Sequence, residues 1–439
     1  LDAAWWPAIC PLRRHRASIG AIAEHPRRSA RGRACSNAAQ IRHIQRANNP
    51  AKWNVNCRFS RYATAAAALS DCARQGDPAG MGHVSESVER VLDTLSEIRQ
   101  HKLDLSWMNA NPSGWGAKAT PRDERGLGLD DINHVGHYGD VPDEGSHFGS
   151  MAPRGSEIPD DMPSLGCYDI NDKSLVWADN VAHLYDEAVA RQWSSARDVP
   201  WDLLEPQRED LEKAMCQVCT NLTEIEFVAG DMPAKWLWHV NHDFHEVKCF
   251  LASQIFDEAR HMEVFRKRAL ANGGGLLRSS PDSERLLRVI LEAPNFTTGS
   301  ALMHILGEGF VLTLFRNGEM FALGPVEKKI FRLCMQDEAR HVAYGTMHLK
   351  YFLEKHPERE EDIHEILRKG EEATFSLNQT RDTVEARAIL AGGGLDRIDE
   401  GFKKLGYLFK KQINEYLYRL KMAGIDRSKR LAIPAELPL

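Results

Sequence analysis

The sequence predicts an all-α chain with a four-helix bundle at its centre. Three observations carry this. From residue 173 onward, apolar residues recur at i, i+3, i+4 and i+7 in long segments divided by short Gly, Pro and Asn breaks. No run of alternating apolar and polar residues competes with them, so no strand is expected. The pentapeptide Asp257-Glu258-Ala259-Arg260-His261 also recurs unchanged as Asp337-Glu338-Ala339-Arg340-His341, each copy inside a long helical segment.

In chain order, a short helix is expected near 84–103. Residues 105–172, rich in Gly, Pro, Asp and Ser, read as a covering loop segment. Helices follow at 173–193, 205–238, 245–271, 282–293, 297–317, 324–355, 358–378 and 397–423. Glycine clusters at 273–275 and 392–394 act as stops, and they lack the GxGxxG pattern of a phosphate cradle. Pro281, Pro294, Pro325 and Pro357 stand at helix entrances or exits, where proline is tolerated. The chain thus divides into 1–80, a basic extension; 81–172, the N-terminal helix and covering loops; 173–380, the bundle; and 381–439, a C-terminal helical extension.

Composition bounds the function classes. Hydrophobic residues make up 43% and charged residues 27% of 439, the profile of a soluble globular chain. No uncharged stretch reaches the 18 or so apolar residues of a membrane span, and the most apolar helix candidate, 300–315, carries Glu308. No membrane partner is expected. Residues 1–80 carry a net +9 and the remainder −15. An Arg-rich, acid-poor start suits a transit peptide or a nucleic-acid-binding arm. It shows no amphipathic period, however, and Met81 opens a normal-looking segment. The expectation is an extension that adds nothing to the fold, with no nucleic-acid partner. Nine scattered cysteines without a secretory signal fit a reducing, cytoplasmic setting, and Cys216-Gln-Val-Cys219 reads as buried thiols.

The chemistry rests on the repeat. Residues i and i+3 share a helix face with β-carbons about 5–6 Å apart, so a Glu-x-x-His pair can present a carboxylate and an imidazole to one cation. Glu144…His147 and Glu361…His364 show that the bare spacing also arises by chance. The two identical blocks differ because Leu251, Ile255, Met262 and Phe265 line the face of the first, and Phe331, Cys334, Met335 and Tyr344 that of the second. Charges on a buried face are expensive unless paired or bound to metal. The alternative reading is an ion-pair network through Arg260 and Arg340, although each stands on a different face from its Glu.

Two such helices provide four ligands, and two metals require more. Glu308 lies on a stripe with Ile305, Val311, Leu312 and Phe315. On the preceding long helix Glu226 shares a face with Cys219, Leu222 and Ala229, whereas Glu224 shares one with Thr220, Asn221 and Asp231, so Glu226 is preferred. Glu226 to Glu258 is 32 residues, Glu308 to Glu338 is 30, and the two pentapeptides stand 80 apart. A duplicated helical hairpin with a pseudo-two-fold site is the natural assembly.

These motifs resemble the ferritin-like di-iron carboxylate superfamily over about residues 173–380. The doubled Asp-Glu-x-Arg-His block is similar to that of bacterial multicomponent monooxygenase hydroxylases. The wider context resembles the ribonucleotide reductase small subunit, the related ligand-binding oxidases and the arylamine N-oxygenases. The resemblance implies an all-α, ferritin-like four-helix bundle with additional flanking helices. Glu226, Glu258, His261, Glu308, Glu338 and His341 would ligate the metals, and Asp257 and Asp337 would accept from the ligand histidines, across the pseudo-dyad. Phe265 stands where the small subunit carries its radical tyrosine, and Cys334 where the N-oxygenases place a further histidine.

Mixed carboxylate and imidazole ligation suits iron or manganese. Four carboxylates and two divalent ions would be formally neutral in an apolar bundle. The implied function is a non-haem di-iron oxidase or monooxygenase using dioxygen, a small organic substrate and an external electron donor. The cofactor is two iron ions, with Mn/Fe as the variant, and a homodimer is a common assembly for such chains. A ferritin-type iron-storage protein and a radical subunit, in which Tyr344 could replace the missing tyrosine, are the alternatives. His239, His242 and His245 read as exposed, Trp193 and Trp201 as anchors for the covering segment, and His304 as either touching the site or packing.

Overall fold

The computed structural model describes residues 83–109, 116–150, 152–156, 158, 162–378 and 380–437. The basic extension 1–80, with Cys10, Cys35, Cys57 and Cys72, lies outside them, as does Met81. Among the described residues the regular structure is helical, with only two isolated bridges, Glu144 with Asp172 and Ile170 with Val240. The helices are α1 (His83–Arg99), α2 (Leu129–Asn133), α3 (Val181–Ala190), α4 (Glu209–Leu237), α5 (His245–Ala271), α6 (Pro281–Leu291), α7 (Phe296–Arg316), α8 (Pro325–Lys355), α9 (Glu360–Asn378), α10 (Arg381–Gly392) and α11 (Ile398–Met422).

α4 packs along α5 and α7 along α8, while α5 touches α8; these four are the bundle. The remaining helices flank it, α10 lying on α4 and α11, and α9 on α6 and the first half of α7. The fold is therefore a four-helix bundle with additional flanking helices. α7 is apolar and long enough to cross a membrane, but 89% of its most apolar stretch is buried inside the protein, which makes it the core helix of the bundle.

Four elements differ from expectation, each for a local reason. The segment from 173 starts with a single 3-10 turn in which Asp172 accepts from Ser174 N at 2.8 Å, and the helix proper begins only at Val181. α4 begins at Glu209 instead of 205, because Pro206 lacks the N–H and restricts its neighbour. α10 was not expected. Thr383, Ala386, Ala388, Leu390 and Ala391 are buried, and apolar residues around most of a helix leave no single stripe to read.

The fourth is inside α7, where Ala301–Gly307 forms a π-helix between two α-helical pieces. Such wide turns occur mostly as single insertions, often at functional positions. This one ends at Glu308. Its neighbours make room for the bulge: a β-carbon on Gly345 of α8 would stand 2.2 Å from His304 Cβ, and one on Gly370 of α9 would stand 2.4 Å from Leu302 Cδ2.

The covering segment is pinned to the start of α5. Arg154, buried, pairs with Glu246 at 2.7 Å and donates to Asp243 O at 2.7 Å, while Asn133 donates to the same Glu246 at 2.9 Å. Removing one partner of such a buried pair costs about 3–5 kcal/mol.

Candidate metal centre

α4, α5, α7 and α8 bring all six expected residues to one place. Ligand atoms of Glu226, Glu258, His261 and Glu338 lie within 4.8 Å of one another, and so do those of Glu258, Glu308, Glu338 and His341. Glu258 and Glu338 belong to both groups, so with two cations bound they would stand between them and the other four residues would close the ends. Glu226 is 2% exposed, whereas Glu224 is exposed and takes no part.

The histidines face inward through Nδ1. His261 Nδ1 lies 3.1 Å from Glu258, 3.5 Å from Glu338 and 3.9 Å from Glu226. His341 Nδ1 lies 3.0 Å from Glu258, 3.6 Å from Glu338 and 3.7 Å from Glu308. Their outer nitrogens meet the aspartates of the opposite repeat: His261 Nε2 is 3.1 Å from Asp337, and His341 Nε2 is 3.3 Å from Asp257. A carboxylate on Nε2 fixes the tautomer that leaves Nδ1 unprotonated for a metal.

The arginines of the repeat are buried too, and their partners are the aspartates. Arg340 lies 2.9 Å from Asp257 and 2.5 Å from Asp337; Arg260 pairs with Asp257 and lies 3.1 Å from Asp337. Two guanidinium groups and two aspartates form a closed, neutral ring. That ring decides between the two readings of the repeat, since it engages both arginines of the repeat with the aspartates and not with the four glutamates.

Orphaned atoms mark where positive charge is missing. Glu226 Oε1, Glu308 Oε2 and both oxygens of Glu338 are buried without a hydrogen-bond partner. Burial, reinforced by Glu338 and Glu258, pushes the Glu226 carboxyl well above its ordinary range, and burial does the same to Glu308. Burial also opposes the charge of Glu258, but His341 and His261 on either side hold it well below the ordinary range. Around His341 burial disfavours the cation, yet Glu258 and Asp257 raise its pKa. Four carboxylates that cannot all ionise alone, with two imidazoles, fit two divalent ions, which would invert this proton balance.

Three further residues bear on the site. Trp193 donates through Nε1 to Asp337 at 2.7 Å, its ring stacks on His261 at 6.3 Å between centroids, and Arg260 lies over it at 4.8 Å. Gln254 donates to Glu308 at 3.0 Å and meets His304. Helical spacing alone could have marked Gln254, one turn before Glu258; Trp193, from the loop after α3, left no signal of its role here. Cys334 is buried with its thiol pushed up to about 12 by burial, and Cys216 and Cys219 are buried free thiols. His242 is exposed and His239 and His245 are half-buried, and none joins a metal-ligand cluster among the described residues.

A cavity of about 70 Å3, partly open to the outside, lies beside the cluster. Glu226, Glu308 and Glu338 form one part of its wall. Ile225, Ala229, Ile290, Met303, Val311 and Leu314 make the rest largely apolar, and Thr374, Arg387 and Gln412 supply polar groups from α9, α10 and α11.

No family model matches the chain, and no curated protein matches it either. Among solved structures it is similar to R2-like ligand-binding oxidases. One without metal cofactor gives a TM-score of 0.41 at 15% identity, covering 55% of this chain and 95% of that one. A mutant with an aerobically reconstituted Fe/Fe cofactor gives 0.44 at 15% identity, over 55% and 92%. Another, with a Mn/Fe cofactor, gives 0.42 at 15%, over 55% and 92%.

Proposed function

We propose that the chain is a dioxygen-activating di-iron carboxylate oxidase or oxygenase acting on a small, largely apolar organic substrate. The observation that carries this is the set of four buried, crowded glutamates and two inward-facing histidines beside a largely apolar cavity. A bound iron pair supplies the reduction of dioxygen, with electrons from the substrate and, for oxygen insertion, from an external donor. The protein's own residues do the rest. Asp337 and Asp257 hold the imidazoles in one tautomer, the arginine ring fixes the aspartates, and the apolar wall positions the substrate beside Glu226 and Glu308 while limiting water. A Mn/Fe pair would use the same ligands.

The cavity favours substrate oxidation over ferritin-type storage, which needs no organic pocket. A radical subunit is less favoured. Phe265 packs against Phe315 and Phe331 at 5.6 and 6.3 Å, and the Tyr344 hydroxyl already donates to Val176 O at 2.6 Å. We assign it to the cytoplasm, and a separate reductase is the electron donor in this reading. Anaerobic loading with ferrous iron, then exposure to air, tests the reading. Two irons per chain with oxygen uptake that saturates at the site, and rises with an apolar substrate, supports it. Continued uptake of many irons per chain supports storage, and a stable tyrosyl signal in electron paramagnetic resonance supports the radical subunit.

A further inference from the structure

The two halves of the centre differ one turn before their repeated motifs. Ahead of Glu338 stands Cys334; at the matching position ahead of Glu258 stands Gln254. A second difference lies one turn before the lone glutamates, with Leu222 ahead of Glu226 and His304 ahead of Glu308. Both polar members of these pairs fall on the Glu308 side, where they meet.

Gln254 is fully buried. Its amide nitrogen lies 3.0 Å from Glu308 Oε1, and its amide also faces His304 Nε2, with Oε1 at 3.2 Å and Nε2 at 3.1 Å. His304 in turn meets the Ser300 hydroxyl through Nδ1 at 2.7 Å. The amide nitrogen is the atom beside Glu308 Oε1, so it is its N–H that donates there. Burial keeps His304 neutral, able to meet the remaining amide edge as donor or acceptor in either tautomer. The π-helical turn carries His304 into this position, and the missing side chain of Gly345 gives it room.

The consequence is asymmetric. Glu308 has one oxygen tied to Gln254 and the other, Oε2, without a partner and open to a cation. Glu226 has no such donor: Oε1 is orphaned and Oε2 lies 3.9 Å from His261. Resting on the di-metal reading above, we infer that Gln254, held by His304 and Ser300, is a positioning residue that pins Glu308 and makes the two metal positions unequal. The position between Glu308 and His341 is preorganised and fills first. The position between Glu226 and His261 keeps a carboxylate free to change its binding mode.

Outer partners of metal ligands typically contribute about 10–100-fold in affinity. The test is a titration of the metal-free full chain with Mn2+ alone, followed by calorimetry and by the electron paramagnetic resonance of free Mn2+. Wild type binds two ions in two steps. In Gln254→Leu the tighter step weakens by about 10–100-fold while the looser step is unchanged, so the two merge. His304→Phe weakens the tighter step less and adds nothing in the Gln254→Leu background, since it acts through the amide. Should Gln254→Leu not fold, Ser300→Ala is read the same way: a weaker tighter step supports the inference, and an unchanged one overturns it. Two Mn2+ bound to Gln254→Leu with the tighter step unchanged, or with both steps weakened equally, overturns the inference and leaves the di-metal reading standing. A wild type that fails to take two ions defeats that reading and the inference together.

Discussion

His261 on α5 and Asp337 on α8, 76 positions apart in the chain, meet at 3.1 Å between Nε2 and Oδ2. His341 and Asp257 make the reciprocal contact at 3.3 Å. Each repeat thus supplies the histidine of one metal position and orients the histidine of the other. The pentapeptide works as a pair, because a single copy would have no crossed aspartate.

Asp337→Asn keeps the shape and removes the charge. The His261 tautomer is then no longer fixed, and Arg260 and Arg340 lose half of their shared counter-charge. Metal affinity falls about 10–100-fold, and the metal-free protein loses about 3–5 kcal/mol in chemical denaturation. Unchanged stability would mean that the arginine ring carries no weight.

The glutamates give the opposite sign. Glu308→Gln removes one of the four crowded buried carboxylates, so the metal-free variant melts at a higher temperature than metal-free wild type, by the equivalent of about 1–3 kcal/mol. With metal added the order reverses, because the variant has lost a ligand. Thermal melts with and without Mn2+ read both effects.

The pH dependence follows from groups whose pKa is raised in the metal-free fold. For Glu226 and Glu308 the folded values lie above the ordinary 4.5, and for His341 above 6.5. Each contributes stability that is complete below its unfolded pKa and is lost as pH rises through its folded pKa. Glu258, shifted down, acts only on the acid side, where its contribution is lost as pH falls. Metal-free protein therefore grows less stable as pH rises above 4.5 for the glutamates and above 6.5 for the histidine, while metal affinity increases because binding displaces protons. Melting and Mn2+ titration across that range check both slopes.

Gly345→Ala tests the packing round the π-turn. Its β-carbon would meet His304 Cβ at 2.2 Å, a clash between a helix and the body of a residue, not the end of a flexible side chain. The expected loss is about 1–3 kcal/mol in chemical denaturation, with weaker binding of the first Mn2+ because His304 moves away from Gln254.

The parts legible in the sequence were those that repeat. The doubled pentapeptide and the nearly equal spacing of Glu226 and Glu308 from it pointed to six residues that the fold brings within coordinating reach. Burial of their neighbours separated Glu226 from Glu224, because an amphipathic helix commits one face to the core. Trp193 was expected only to anchor the covering segment, because it reaches Asp337 from a loop, where no period relates sequence to direction. Gln254 and His304 meet only because two helices and a widened turn bring them together, and neither the π-turn nor the buried α10 writes a period into the chain. Arg260 and Arg340 sit off the face of their glutamates, as spacing implies, yet their long side chains still reach the buried aspartates.

The central claim is that one pair of cations sits between Glu258 and Glu338. X-ray absorption of the anaerobically iron-loaded chain, combined with metal quantitation, tests it most directly. The account predicts two irons per chain with an iron–iron distance of about 3.5–4 Å, both lost in Glu338→Ala. One iron or none, or two irons showing no iron–iron scattering and retained in Glu338→Ala, would contradict it.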